Sequence, residues 1–97
     1  MTQAQIQILE QYVQDLAHIL QEILDQYHVP IHIDPQYHCG WSLDPDDGGP
    51  VAFCATSLPE EFPELPGVPE HVQGRYGQYL VLQTTWYIEI VFHFHLH

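Results

Sequence analysis

The sequence predicts an α+β fold: one long N-terminal amphipathic helix packed on an antiparallel sheet of three to five strands. Three observations lead there. Apolar residues near the N-terminus recur three and four apart. All eight prolines and all six glycines fall between Pro30 and Gly77, and the chain from Tyr79 onward is dominated by β-branched and aromatic residues. Ninety-seven residues suffice for a single domain, 1–97, with one core. A hydrophobic content of 45% sets this chain apart from disordered acidic polypeptides.

The helix is expected over about residues 2–28. Ile6, Leu9, Val13, Leu16, Leu20, Ile23 and Tyr27 form one face, widened by Tyr12, Ala17, Ile19 and Leu24. Thr2 followed by Gln5 matches a capping box, and Val29-Pro30 disfavours continuation. Such a helix would run roughly 40 Å, longer than a small sheet needs, so part of its stripe is a candidate homodimer seam. The stripe also fits a short heptad pattern, but it is too broad for a coiled-coil seam and lacks flanking charge pairs.

Residues 30–77 read as loop-rich with short strands. Ile31 to Asp34 alternates like the start of a strand. Leu43 to Pro50 reads L-D-P-D-D-G-G-P, a tight acidic turn, and Val51 to Thr56 is its returning strand. Ser57 to Glu70, with four prolines and four glutamates, is an extended acidic loop. From 79 to 96 the chain is too long for one straight strand, so a bend or bulge near Gln83 to Thr85 should divide it in two. In the second part Ile88, Ile90, Phe92, Phe94 and Leu96 share one face, and Glu89, Val91, His93, His95 and His97 the other.

Charge bounds the partners. Arg75 is the only basic side chain besides the histidines, against thirteen carboxylates, for a formal charge of −12. Such a surface repels phosphates and anionic lipid, which excludes direct nucleic-acid binding and electrostatic membrane attachment. No signal-like opening and no apolar run of about 18 residues is present, so the expected location is cytoplasmic. Eight histidines would take the charge from −12 to −4 on full protonation.

Seven carboxylates lie between Asp44 and Glu70. Asp44, Asp46, Asp47, Glu60, Glu61, Glu64 and Glu70, with Phe62 as an apolar anchor, are the candidate partner-binding residues. Acids around apolar anchors suit a basic protein surface. The functional expectation is therefore a small non-enzymatic interaction protein. Its concrete form is an inhibitor that mimics nucleic-acid charge, with the general character of anti-defence or toxin-neutralising proteins. The competing expectation for the loop is a solvated segment whose Phe62 and Leu65 tuck onto the core. Arg75 is expected to pair with the acidic loop or to donate a hydrogen bond in its turn.

His93, His95 and His97, every second residue on one strand face, suggest a metal-binding or metal-sensing module as the alternative, holding Zn or Ni. Glu89 shares that face, and His32 and Asp34 would join if their strand were a neighbour. Cys39 and Cys54 are expected as free thiols. His38 is poorly placed to activate Cys39, because adjacent strand residues point to opposite faces. Asp44 to Gly48 departs from the EF-hand pattern, and Gly74 to Gly77 from phosphate-loop spacing.

Overall fold

The structure, a computed structural model, describes residues 2–43, 49–62 and 64–93. Its elements in chain order are α1 (Gln3–Gln26), α2 (Pro35–His38), β1 (Cys39–Leu43), β2 (Pro50–Ser57), β3 (His71–Gln73), β4 (Gln78–Thr84) and β5 (Tyr87–His93). The five strands form one antiparallel sheet in the order β1-β2-β5-β4-β3, with α1 lying over β1, β2 and β5. This is the α+β arrangement expected.

The helix starts where the capping box puts it: Thr2 accepts from the Gln5 amide, and the Gln5 side chain accepts from the Thr2 amide. Its C-terminus is a Schellman motif. The Val29 amide donates to Leu24 O and the His28 amide to Asp25 O, while Val29 and Leu24 are both buried. His28 takes the left-handed position at φ 58, which glycine usually fills. Leu9, Leu16, Leu20 and Leu24 are fully buried and share one core cluster with Ala52, Cys54, Tyr79, Ile88 and Ile90. From Leu9 to Tyr27 the apolar stripe considered as a dimer seam packs into the chain's own core, while Ile6 stays half-buried outside that cluster.

Ile31 to Asp34 is not a strand. A side chain satisfies its backbone instead: the Gln21 amide donates to Ile31 O at 3.0 Å and accepts from Ile33 N at 2.7 Å. Asp34 then caps α2, accepting from Gln36 N with Pro35 in the first turn, where a missing N–H costs nothing. His32 and Asp34 therefore lie on no strand beside β5, whose neighbours are β2 and β4.

The break in the C-terminal β segment is a hairpin rather than a bend. Thr84 pairs with Tyr87, leaving Thr85 and Trp86 as a two-residue loop. Among the described non-glycine residues only His28 has positive φ, so this loop is not one of the primed turns that asparagine and glycine mark.

The cysteines are joined, not free. Cys39 and Cys54 are direct register partners across β1 and β2, with Cα atoms 4.0 Å apart, and they form a disulfide.

Candidate functional site

The acidic loop from Leu58 to Glu70 is held from beneath. Leu58 and Leu65 are buried, and Phe62 and Val68 pack half-buried against the core. The Gln83 side chain accepts from Leu65 N at 3.2 Å and donates to Leu65 O at 3.3 Å. The Tyr27 hydroxyl donates to Pro66 O. Phe62 N donates to Pro59 O at 2.9 Å, which places Glu60 and Glu61 at the apex of a turn. What the loop presents outward is therefore Glu60, Glu61, Glu64 and Glu70, all exposed, with Phe62 turned towards the core. Asp44, Asp46 and Asp47 lie outside the described residues.

Among the described residues, Arg75 forms no ion pair with Glu60, Glu61, Glu64 or Glu70. Its backbone N–H donates to Asp15 Oδ2 at 2.8 Å, and its guanidinium carbon lies 5.8 Å from the centre of the Tyr76 ring. The same Asp15 oxygen accepts from the Tyr79 hydroxyl. Burial, then the hydrogen bond and charge of Asp15, push the Tyr79 hydroxyl well above the ordinary tyrosine range. Tyr12 packs edge-on against Tyr76 and Phe92, and Tyr79 against Phe92, which ties the β3–β4 turn to the helix. Above this aromatic cluster an open groove of about 770 Å³ runs along α1, bordered by Glu10, Asp15, His18, Arg75 and Tyr76. Sequence reasoning did not find it. The available signal was Asp15, an acid flanking an otherwise apolar helical face between Tyr12 and Ile19.

Gly74 makes this junction possible. A Cβ there would overlap the Tyr79 ring, so the turn can close over the ring only without a side chain.

His93 lies exposed on β5, whereas His95 and His97 lie outside the described residues. Among the described residues, no group of three His, Cys, Asp or Glu side chains is placed to hold a metal ion. On the same face Tyr87 has its hydroxyl pushed up by burial and by its neighbour Glu89. Cys39 is bonded to Cys54 and is not available as a nucleophile. No helix among the described residues is long and apolar enough to cross a membrane. No family model, no curated protein and no solved structure matches the chain.

Proposed function

We propose that this chain is a non-enzymatic interaction protein that docks on a basic protein surface. In its specific form, its carboxylates occupy a groove meant for nucleic-acid phosphates. One observation carries the reading: the outward carboxylates of the Leu58–Glu70 loop stand on a clamped backbone, and the guanidinium of the single fixed cation lies by the Tyr76 ring rather than against the loop's glutamates. A loop pinned by Gln83, Tyr27 and two buried leucines loses little conformational freedom on binding. Uncompensated acids on it raise the association rate with a cationic partner.

The test is capture of partners from the source cell on the immobilised chain at low and high salt, followed by affinity measurement with the captured protein. A basic protein is expected to be retained at low salt and released at high salt. Replacing Glu60, Glu61 and Glu64 with Gln should weaken that complex roughly tenfold, mainly through the association rate. An unchanged affinity in the triple variant removes the loop from the site.

A further inference from the structure

The sheet has two faces, and α1 covers one. On the other, the strand register assembles an apolar band. Gly40, Phe53, Val91, Leu80 and His71 are successive partners across all five strands. Ala55, Glu89 and Leu82 form the next row on one side, and Val51 and His93 flank it on the other. Val51, Phe53, Ala55, Leu80 and Val91 are half-buried, and Leu82 is 44% exposed. The Phe53 ring lies against Gly40, 3.2 Å from where a Cβ would sit, and so fills the gap beside it. The only other helix among the described residues, α2, has four residues and reaches one end. There Tyr37, 83% exposed, borders an open hollow of about 640 Å³ with Ala55, Ser57 and Tyr87.

We propose that this face is the interface of a homodimer, formed by two copies of the chain packed sheet to sheet. Charge selects the occupant. Of the carboxylates on described residues, Glu89 is the only one on this face, accompanied by His71 and His93. A basic partner would find little to hold it there. A copy carrying a formal charge of −12 can approach another copy only where carboxylates are scarce.

Size is compatible as well. Five strands about 4.8 Å apart, three to eight residues long at about 3.4 Å each, present roughly 500 Å² per copy, or about 1,000 Å² in all. That reaches the threshold for a specific interface before Tyr37 and Trp86 at the rim are counted. A twofold axis through Val91, running across the strands, sets Glu89 opposite His93 of the partner subunit. The lone acid then faces an imidazole across the seam rather than a second carboxylate. The product is a four-layer assembly with both helices and both acidic loops facing outward. It leaves the surface used for basic partners open, so it stands whether or not that reading does.

Sedimentation equilibrium on the full chain, from about 1 to 100 µM, brackets the dissociation constants expected of an interface this small. The wild type should convert from monomer to dimer within that range. Val91→Glu and Leu80→Lys should both raise the dissociation constant at least about a hundredfold, because each leaves an unpaired charge at the centre whatever its sign. Ile8→Lys, on the exposed side of the helix, should leave it unchanged. Far-UV circular dichroism confirms folding, and Leu82→Glu, at a more exposed position, replaces either variant that fails to fold. A wild type that stays monomeric at about 100 µM overturns the proposal, as does a dimer that survives both central variants. Dissociation by Ile8→Lys would place the interface on the helix instead.

Discussion

The two faces of the sheet are built from the same alternating strands, yet they solve different problems. On the inner face Ala52, Cys54, Tyr79, Ile88 and Ile90 are fully buried beneath α1. On the outer face Phe53, Leu80 and Val91 occupy the same strands with comparable side chains but remain half-buried. Residue type alone does not distinguish the faces, because an alternation of period two says which residues go together and not which set is covered. The helix decides it, and the core that results belongs to one face.

The sharpest test compares a leucine from each layer. Leu20→Ala removes a fully buried side chain from the helix–sheet core and should cost roughly 2–5 kcal/mol of unfolding free energy. Leu82→Ala, on the outer face, should change the stability of the monomer by no more than about 0.5 kcal/mol. Urea unfolding of both variants at a concentration below dimerisation measures the difference. Equal losses would break the distinction between the faces.

Next in size is the Cys39–Cys54 bond, which staples β1 to β2 on the helix-facing side. Closing a loop of about 15 residues stabilises the native state by roughly 3 kcal/mol in the chain-entropy treatment. A reductant should therefore lower the unfolding midpoint, and Cys39→Ser/Cys54→Ser should show the lower value with or without it. Two titratable thiols in protein purified without reductant would contradict the bond. The bond also bears on the cytoplasmic expectation, since disulfides persist in oxidising compartments and are rare where glutathione keeps thiols reduced.

The parts legible in the sequence were those set by local rules. The Thr2/Gln5 cap, the helical stripe and the Ile88, Ile90, Phe92 face all follow from spacing, and each is where it was expected. The β4–β5 hairpin escaped because Thr85-Trp86 carries none of the Gly, Asn or Asp that mark such turns. The disulfide was closer to reach. A turn across Leu43 to Pro50 has its midpoint between Asp46 and Asp47, and that midpoint is equidistant from Cys39 and Cys54. Ile31 to Asp34 misled because its partner is a side chain: Gln21 acts there as a detached peptide group, as Gln83 does for Leu65. No periodicity reveals a contact of that kind. The groove beside Asp15 and Arg75 joins residues 60 positions apart and depends on the fold being complete.

The smallest expected effect lies in a pair of tyrosines, one on each face, each beside a carboxylate. Tyr79 is fully buried and donates to Asp15, whereas Tyr87 is half-buried beside Glu89. Tyr79→Phe should cost about 1 kcal/mol near neutral pH, because Asp15 keeps the Arg75 N–H as a second donor. The pH dependence then separates the hydroxyl from the ring. Tyr79 holds its proton more tightly folded than unfolded, so its contribution is complete below about pH 10, the unfolded value, and declines as the pH rises beyond it. The gap between wild type and Tyr79→Phe should accordingly narrow above about pH 10 in urea unfolding experiments. Tyr87 is raised too, so both proteins keep some alkaline slope, and Tyr87→Phe should show a smaller change of the same sign. A gap that stays constant or widens would mean that the Tyr79 hydroxyl is not buried against Asp15. The junction between the β3–β4 turn and the helix would then rest on ring packing alone.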